Sequence, residues 1–572
     1  MDNPAIARVL SEIADLLEIK AENPFKIRAY RNAADTVAHL TAPVAGLTAA
    51  ERMAIPGIGK DLAGRLAELV DTGECLFHQE LLHQFPPTML ELLRLQGVGP
   101  KTVALLHGAL QVRSLEDLEQ AAREGRIRTL KGMGAKKEAQ ILKALEDRQR
   151  VAGRRLAADA AELVAELLAD LRKAAPSADI ASVGSFRRGC DTCGDLDFLA
   201  AGAAPDLMER FVNFRLVERV LGHGATKSSV VLRGGLQADL RVVPSESLGA
   251  GRQYFTGSKA HNIALRDRAL QRGLKLNEYG LFRVEDDVRV AGETEEDIYQ
   301  YLGLAFIPPE LREHRGELAA AESGTLPRLI RPEALRGDLH MHTTATDGRA
   351  DVETMARAAR ASGLEYIAIT DHSQALAMAR GLDEARALAH AREIRALNGR
   401  IDGLTLLAGI ECDIRPDGSM DLAEDCLAAL DLVVASVHSA LSQDPAQMTE
   451  RLLAAIACPW VDILAHPTGR LLLRRQPYGF DVDRVFAAAA AAGVALEING
   501  QADRLDLDDV HARRARALGA RLVIDSDAHS PAALAGVRRG ITVARRGWLE
   551  AGDVINTRPL EAFRAGLRRH RR

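Results

Sequence analysis

The second part of the chain, from residue 337 onward, alternates short apolar segments with alanine-rich segments about seven times. The apolar segments include "YIAITDHS", "LVVASVHS" and "RLVIDSDAH", and each of them ends in polar residues. Apolar strands that alternate with helices are typical of a parallel α/β barrel, whose strands all end at one face, where active sites are built. We therefore predict a barrel over residues 337–572, with these polar residues gathered at one mouth.

Histidines and carboxylates dominate the polar ends, beginning with "GDLHMHTTATDG" at residues 337–348. Nine of them are candidate metal ligands: His340, His342, Asp347, His372, Glu411, His438, His466, Asp527 and His529. A single histidine is more often a core residue, but nine such groups at equivalent strand ends indicate metal binding. Imidazole with carboxylate suits Mn²⁺, Zn²⁺ or Fe, and this set is too large for one ion, so two or three ions are expected.

Two acidic residues, Asp338 and Asp371, stand next to ligand histidines. They are interpreted either as further ligands or as groups that orient the imidazole rings. Three other histidines lie outside the ligand motifs and are expected at the surface, namely His390, His511 and His570.

Three glycine turns in residues 1 to about 148 resemble one another. They are "IPGIGKDLAGRLAEL" (55–69), "LQGVGPKTVALLHGAL" (95–110) and "LKGMGAKKEAQILKAL" (130–145). Each resembles the helix-hairpin-helix element, in which paired glycines make a tight turn and aim backbone N–H groups at a phosphate. Such contacts carry no sequence information, so sequence-independent DNA binding is predicted. The predicted contacts are Gly57, Gly59, Lys60, Gly97, Gly99, Lys101, Gly132 and Gly134.

A mixed helix and strand pattern follows, with a helix predicted over 156–174 and a pair of acids in "SVGSFRRGCDTCGDLDFLA" (182–200). Asp195 and Asp197 are two residues apart, so both face the same way on an extended strand. Asp239 in "LQADLRVV" could add a third carboxylate from an adjacent strand. Carboxylate oxygens favour Mg²⁺ or Mn²⁺, and two such ions can stabilise both the attacking hydroxyl and the leaving pyrophosphate.

A phosphate-binding turn precedes these acids. Gly184 and Ser185 supply backbone for a phosphate, and Arg188 supplies a positive charge to pair with it. Standing alone, an Asp-x-Asp pair would more simply be the solvated edge of a strand. The combination with the turn instead indicates a nucleotidyl-transfer site.

Together these motifs resemble family X DNA polymerases over residues 1 to about 320. The segment "YFTGSKAHNIALR" (254–266) is similar to that family's sugar- and base-checking segment. The resemblance implies nucleotide contacts by Tyr254, Phe255, Gly257, Asn262 and Arg266. It implies that the two aromatic rings line the sugar, the asparagine reaches the minor-groove side of the base, and the arginine approaches the template strand.

One position departs from the family's pattern. In members with 5'-deoxyribose-phosphate lyase activity, a Schiff-base lysine follows the first hairpin, and alignment on "PGIGK" places Arg65 there. An arginine stays protonated and is a poor amine nucleophile. Lyase activity is therefore not expected, and a borohydride-trapped adduct on an abasic 5' end would contradict this.

The motifs "GDLHMHT", "TDHS", "LAHP" and "DSDAH" resemble the polymerase and histidinol phosphatase (PHP) domain, a phosphoesterase barrel. The two resemblances imply a multidomain fold: helical helix-hairpin-helix regions, an α+β nucleotidyltransferase with palm and thumb, and a distorted parallel α/β barrel. The predicted divisions are 1–85 (DNA-end binding), 86–150 (fingers-like), 151–255 (palm), 256–320 (thumb-like), 321–336 (linker) and 337–572 (PHP).

Composition restricts compartment and partners. No apolar run reaches the roughly 18 residues of a membrane span, and the N-terminal segment lacks a signal-peptide pattern, so a cytoplasmic protein without membrane contact is predicted. Six scattered cysteines form no disulfide framework, and Cys190 and Cys193 lack two further zinc ligands nearby, which favours a plain loop. The net charge of -5 argues against a wholly basic nucleic-acid coat.

The preferred interpretation is a monomeric DNA polymerase that uses dNTPs to fill short gaps in DNA repair, with a 3'-5' exonuclease in its barrel. Mg²⁺ or Mn²⁺ would serve Asp195, Asp197 and Asp239. In one alternative the barrel is a small-molecule phosphatase or a structural brace. In another the whole chain is a non-catalytic scaffold that binds DNA ends.

Overall fold

The computed structural model of the protein describes residues 3–38, 44–55, 57–93, 95, 98–151, 153–202 and 206–567. The chain forms two compact units, Met1–Ala152 and Gly153–Arg572. Over the described ranges, none of the helices combines the length and the apolar character that crossing a membrane requires.

The first unit is built from helices over its described residues. They are α1 (Asn3–Ile19), α2 (Pro24–Ala38), α3 (Ala49–Met53), α4 (Lys60–Thr72), α5 (Leu76–Gln84), α6 (Thr88–Leu92), α7 (Pro100–Leu110), α8 (Leu115–Arg123) and α9 (Ala135–Val151). One apolar core forms around Leu10, Leu17 and Leu66, and a second forms around Val103 and Leu118. Each of the three glycine turns leads directly into a helix, namely α4, α7 or α9.

The second unit begins with an α+β region. Its elements are β1 (Arg155–Leu156), α10 (Ala157–Ala174), β2 (Asp179–Ser182), α11 (Gly184–Arg187), β3 (Thr192–Cys193), β4 (Asp195–Ala201), α12 (Leu207–Val212), β5 (Val217–His223), β6 (Lys227–Leu232) and β7 (Gln237–Val243). Five strands form a sheet in the order β2-β4-β7-β6-β5, in which β4 and β7 are parallel. The helix predicted over 156–174 is α10. The sequence did not single out β5, because its side chains are mostly exposed and give no alternating pattern.

A smaller helical region with a short antiparallel sheet follows. It contains α13 (Leu248–Thr256), α14 (Lys259–Gln271), β8 (Leu274–Asn277), β9 (Gly280–Arg283), β10 (Arg289–Ala291), α15 (Glu295–Tyr301) and α16 (Glu317–Ser323). A buried polar network links its helices: His261 contacts Glu317 at 2.7 Å and the Tyr299 hydroxyl at 2.9 Å. Arg312, which is fully buried, donates to Glu295 at 2.6 Å.

The segment predicted as a linker, 321–336, packs on the structure that follows it. Ile330 is 1% exposed, and its N–H donates to the carbonyl of Leu549 at 3.0 Å. Arg545 also donates to the carbonyl of Ile330, at 2.9 Å. The segment therefore lies against the barrel over this stretch instead of running free as a tether.

Residues 337–567 form the predicted barrel. Its elements are β11 (Gly337–Asp338), α17 (Val352–Ala361), β12 (Tyr366–Ile369), α18 (Glu384–Leu397), β13 (Thr405–Asp413), α19 (Glu424–Ala428), β14 (Leu432–Ser436), α20 (Pro445–Ala457), β15 (Ile463–Leu464), α21 (Val482–Ala492), β16 (Ala495–Asn499), α22 (Asp509–Ala517), β17 (Arg521–Asp525), α23 (Val537–Arg546) and α24 (Leu560–Gly566). Seven parallel strands pair in chain order from β11 to β17. The predicted fold class is therefore confirmed.

Two aspartates join the first and last barrel strands. The N–H of Leu339 donates to Asp525 at 2.7 Å, and the N–H of Ser526 donates to Asp338 at 3.0 Å. Burial raises the pKa of Asp338 to about 6, because an ionised carboxylate in the interior loses its hydration. Asp338 thus helps to close the barrel beside the mouth where the predicted metal ligands lie.

Candidate active sites

The three predicted polymerase carboxylates lie on two neighbouring parallel strands. Asp195 and Asp197 are on β4, and Asp239 on β7 is directly opposite Asp197 in the register. The alternate residues of β4, Leu196 and Phe198, point into the core. Because side chains alternate along a strand, the acids are left together on the other face. The structure thus brings the three predicted residues to one place.

The electrostatics of this site suit divalent cations. Burial, together with the neighbouring carboxylates of Asp195 and Asp239, raises the pKa of Asp197 to about 6. Carboxylate oxygens are the ligands that Mg²⁺ and Mn²⁺ prefer, and a cation would relieve the repulsion among these acids. Gly184, at φ +67°, packs against Asp197 so closely that any side chain there would collide with the carboxylate. The residues present fit the predicted ions.

A cleft of about 610 Å³ opens beside the carboxylates. All eight residues predicted to contact a nucleotide line it: Gly184, Ser185, Arg188, Tyr254, Phe255, Gly257, Asn262 and Arg266. Asp195 and Asp197 line it as well. The cleft therefore places acids, a basic group and two aromatic rings around one volume.

Hydrogen bonds hold two of these side chains in place. Arg188 donates from Nη1 to the carbonyl of Thr256 at 2.6 Å and from Nε to Glu313 at 2.9 Å. Asn262 donates to the carbonyl of Tyr254 at 2.7 Å and accepts from Gln253 at 2.8 Å. Arg188 and Asn262 are thus oriented before any ligand arrives, which lowers the entropic cost of binding.

Three polar neighbours of this site were not predicted from the sequence. Gln237 donates to Asp239 at 2.9 Å, and the Nζ of Lys227 lies 3.5 Å from the same carboxylate. Lys259 lines the cleft. The two-residue spacing to Asp239 could have identified Gln237. Lys227 is on β6, and only the strand pairing brings it to the acids.

In the barrel, the predicted ligands converge at the C-terminal ends of the strands. Eight of them form three overlapping groups whose donor atoms lie within 4.8 Å of one another: His342, Asp347, His372 and His529; His340, His342 and Asp527; His372, Glu411 and His438. His466 joins through Glu411, at 3.0 Å. His342 and His372 each belong to two groups, so the three groups form one continuous cluster. The arrangement fits the predicted two or three ions.

Glu411 is at the centre of this cluster. Its carboxylate lies 2.8 Å from His372, 3.3 Å from His340 and 3.4 Å from His438. Burial alone would raise the pKa of Glu411, but these imidazoles outweigh it and hold the pKa well below the ordinary value. A carboxylate kept ionised in the interior is ready to bind a cation.

The imidazoles differ sharply from one another. Burial lowers the pKa of His342 to about 4 and that of His466 to about 3, which keeps both neutral with a lone pair available. His372 is also buried, but Glu411 and Asp347 raise its pKa to about 10. The Nδ1 atoms of His342 and His466 are buried without a hydrogen-bond partner in the described part of the chain. Since an unsatisfied buried nitrogen is costly, coordination to a metal suits both.

Further acids hold the ligands from behind. Glu497 accepts from Nδ1 of His340 and from the backbone N–H of His466, each at 2.7 Å. Asp413 lies 2.8 Å from Nδ1 of His438. Partners of this kind fix the ring orientation and raise the basicity of the ligand. Neither acid was predicted, although a buried glutamate in the apolar segment "ALEING" was a usable signal.

Asp371 has a similar supporting role. It accepts from the backbone N–H of Thr343 at 2.8 Å and contacts Nε2 of His390 at 3.0 Å. The expectation that His390 is a surface residue is therefore wrong, since its side chain is only 11% exposed. His511 is partly buried and pairs with Asp508 at 2.9 Å, and His570 lies outside the described residues.

The first and third glycine turns of the first unit share a backbone feature. Gly57 and Gly132 have φ of +80° and +84°, which other residues rarely adopt. Gly59, Gly99 and Gly134 immediately precede or cap the following helices, and a side chain on any of them would meet open space. Their backbone is therefore accessible to a ligand.

The basic residues after these turns are open to solvent. Lys60 and Lys101 are exposed at the start of α4 and α7. Gly97 lies outside the described residues. Arg65 lies on α4 with its guanidinium 5.1 Å from the Phe77 ring centre and 3.5 Å from Glu68. The absence of lyase activity stays a prediction.

Family models match four parts of the chain. They are the helix-hairpin-helix domain (residues 1–75), the SAM-like helix-hairpin-helix tandem (89–147), the DNA polymerase beta thumb (251–313) and the PHP domain (338–501). The thumb match includes the cleft residues from Tyr254 to Arg266. The PHP match covers the barrel up to residue 501, which includes seven of the nine predicted ligands.

Known relatives fall into two kinds. The chain is 36% identical over 573 residues to the DNA polymerase/3'-5' exonuclease PolX of Bacillus subtilis (strain 168), with 100% of both chains covered. Over 39% of its length, the chain is 32% identical across 233 residues to a protein named "Probable phosphatase" from Shewanella sp. (strain MR-4), of which 88% is covered. A similar protein from Thermoanaerobacter sp. (strain X514) is 28% identical over 231 residues, covering 38% and 89%.

The full-length match, the thumb and the PHP domain agree with the two sites found in the structure. The chain belongs to the family of bacterial family X DNA polymerases that carry a C-terminal PHP domain.

Proposed function

We propose that the protein is a DNA-directed DNA polymerase that fills short gaps during DNA repair and trims 3' ends with its barrel. The observation that carries the polymerase proposal is the single cleft shared by Asp195, Asp197 and all eight predicted nucleotide contacts. The relative from Bacillus subtilis is named for both polymerase and 3'-5' exonuclease activity, which supports the pairing.

In the polymerase site, the three aspartates would hold Mg²⁺ or Mn²⁺. These ions would supply charge stabilisation at the attacking 3' hydroxyl and at the leaving pyrophosphate. Arg188 would pair with the nucleotide's phosphates, and Tyr254 with Phe255 would border its sugar. The two rings are already packed edge to face, with centres 5.2 Å apart, so their positions are set by each other.

In the barrel, the nine ligands would hold two or three Mn²⁺, Zn²⁺ or Fe ions, which would activate water and polarise a phosphodiester. The chain's own contribution is rigidity. Glu497 and Asp413 fix the rings of His340 and His438 through hydrogen bonds, so these imidazoles would be oriented before an ion binds.

The glycine turns would grip the DNA backbone on each side of a gap. Exposed backbone at Gly59 and Gly99, with Lys60 and Lys101 next to it, suits a phosphate rather than a base. Binding should therefore be independent of sequence and should weaken with salt. We infer a monomer that works on DNA ends in the cytoplasm.

The test is a gapped DNA duplex incubated with dNTPs and Mg²⁺ or Mn²⁺, with extension and degradation of the primer measured side by side. Asp197→Asn should abolish extension and leave degradation intact, whereas His342→Ala should do the reverse. Asp179→Asn, on β2 of the same sheet as Asp197, is the matched control and should change neither. Equal extension by the parent protein and Asp197→Asn would refute the polymerase proposal.

The relatives named as probable phosphatases favour a second candidate for the barrel, hydrolysis of small phosphate monoesters. The same proteins should be offered p-nitrophenyl phosphate. If the parent hydrolyses it and leaves single-stranded DNA intact, the barrel is a small-molecule phosphatase and the exonuclease proposal fails.

A further inference from the structure

The loop that carries Arg188 is held by a helix of the PHP barrel. Arg546, at the end of α23, donates to the backbone carbonyl of Arg188 at 2.8 Å. It also donates to Glu313 at 3.0 Å, the carboxylate that Arg188 itself contacts at 2.9 Å. A barrel residue more than three hundred positions away thus contacts the cleft's arginine both directly and through a shared acid.

The packing around this contact is close. Gly189, at φ +70°, abuts Thr542 so tightly that any side chain on the glycine would collide with the threonine methyl group. Thr542 and Arg546 are four residues apart on α23 and therefore lie on the same face of the helix. That face packs against residues 188–191, which we call the arginine loop.

The other end of the same loop is also attached to the barrel. Asp191 accepts from Arg470 at 2.8 Å, and both side chains are mostly buried. Barrel residues thus hold both ends of residues 188–191. Arg546 binds the backbone of Arg188, and Arg470 binds the side chain of Asp191.

Alternating charges make the attachment specific. Arg188, Glu313, Arg546, Asp509 and Arg315 form a chain in which each neighbouring pair is opposite in sign. The Arg546 side chain is only 7% exposed, so solvent screens these contacts weakly. Glu313 and Asp509 satisfy the buried guanidinium of Arg546. Burial by itself would raise the pKa of Glu313, but Arg188 and Arg546 outweigh it and lower the pKa.

The arrangement leaves one edge of Arg188 for a ligand. Nε donates to Glu313 and Nη1 donates to the carbonyl of Thr256, whereas among the described residues Nη2 has one weak acceptor, the Cys190 sulfur at 3.9 Å. Arg188 also lines the cleft. A guanidinium fixed on one side presents its remaining N–H groups to an anion with little loss of side-chain entropy.

We propose that Arg546 is a positioning residue of the polymerase site: the PHP barrel uses it to orient Arg188 toward the phosphates of the incoming nucleotide. This inference rests on the proposed function, because it requires Arg188 to bind those phosphates. It means that the barrel contributes to nucleotide binding in addition to its own hydrolysis.

The test measures KM for one dNTP and kcat on DNA with a one-nucleotide gap, using the full-length protein. Arg546→Met should raise KM roughly 10-fold, since a displaced arginine loses much of its contact, and should lower kcat less. Degradation of single-stranded DNA by the same variant should stay at the parent rate, because Arg546 is not among the barrel's metal ligands.

Arg545→Met is the matched control. Arg545 is the adjacent residue and bridges the same two regions, through Glu310 at 2.8 Å and the carbonyl of Ile330 at 2.9 Å. Within the part of the chain that the structure describes, it makes no hydrogen bond to residues 188–191. Its variant should keep the parent KM. An equal rise in KM for both variants would mean that the interface acts only as a structural support, and would overturn the proposal.

A double-mutant cycle separates this inference from the proposed function. Arg188→Ala should itself raise KM, and adding Arg546→Met should then change KM little, because both act through one guanidinium. Fully additive effects, or an unchanged KM in Arg546→Met beside a raised KM in Arg188→Ala, would overturn the positioning role alone. An unchanged KM in Arg188→Ala would instead refute the proposed phosphate contact.

Arg546→Lys keeps the test decisive if the methionine variant does not fold. Lysine retains the charge opposite Glu313 but lacks the fork that reaches the Arg188 carbonyl and Asp509 together. We expect KM to lie between those of the parent and the methionine variant. A parent-like KM for Arg546→Lys would overturn the proposal.

Discussion

The two candidate metal sites of this chain are built in opposite ways. In the polymerase site, three carboxylates stand at the edge of an open cleft, and Asp195 is exposed to solvent. In the barrel, nine ligands are packed against one another, and His340 and His342 are fully buried. The first site presents its ligands on one face of a sheet beside an open cleft, whereas the ligands of the second contact one another in the interior.

This difference reflects what each site must do with its substrate. A polymerase site must accept a new nucleotide and its accompanying ion in every cycle, so part of the coordination is left to the substrate. The barrel instead supports its ligands with further hydrogen bonds, such as the one that His340 donates to Glu497, and these bonds fix the ring orientations. The comparison leads to four predictions, in order of decreasing effect.

The largest effect is expected from Glu411→Gln. The substitution removes the charge that contacts His340, His372 and His438, so exonuclease activity should fall roughly 10³-fold and bound Mn²⁺ should be lost. Metal analysis and single-stranded DNA degradation measure this, while primer extension should be retained. The exposed Glu424 on α19 provides the control, Glu424→Gln. Full Mn²⁺ content in Glu411→Gln would show that the ligands are not interlocked through this residue.

Removal of metal should destabilise the protein mainly through the barrel. Ions that bind only the folded state at about 1,000 times their Kd contribute about 4 kcal/mol. Chelation should therefore lower the Tm of the parent, and Mn²⁺ should restore it. Asp197→Asn should respond like the parent, but Glu411→Gln should not respond. A Tm response lost in Asp197→Asn would assign the stabilising ion to the polymerase site instead.

A smaller effect is expected from Glu497→Gln, which weakens the support behind His340 and His466 without removing a ligand. The affinity for Mn²⁺ should fall roughly 10- to 100-fold, the usual cost of losing such a partner. Titration of the metal-free protein with Mn²⁺ checks this value. Affinity equal to that of the parent would mean that ring orientation is set by packing alone.

The smallest effect is expected from the equivalent change in the open site, Gln237→Ala. Gln237 donates to Asp239, but the sheet backbone already positions this aspartate opposite Asp197. Primer extension should therefore slow by no more than about fivefold, the cost of one ordinary hydrogen bond. A loss as large as that of Glu497→Gln would remove the proposed contrast between the two sites.

Much of the fold was predictable because it follows from short-range patterns. The strand and helix alternation of the barrel, the helix α10 and the spacing of Asp195 and Asp197 are visible within a few residues of sequence. The strand β5 was not predicted, because its exposed side chains show no alternation of apolar and polar residues. The position of His390 was wrong because its partner, Asp371, reaches it from another element.

The sequence by itself determined which groups could do chemistry: the strand-end ligands, the paired acids and the glycine turns, all set by local backbone periodicity. Only the tertiary structure decided which side chains support them. Glu497 meets His340 across 157 residues, and Arg546 meets Arg188 across 358. The physical reason is that the spacing of apolar and polar residues depends on the strand or helix in which they lie. The partner of a side chain depends instead on how elements far apart in the sequence pack together.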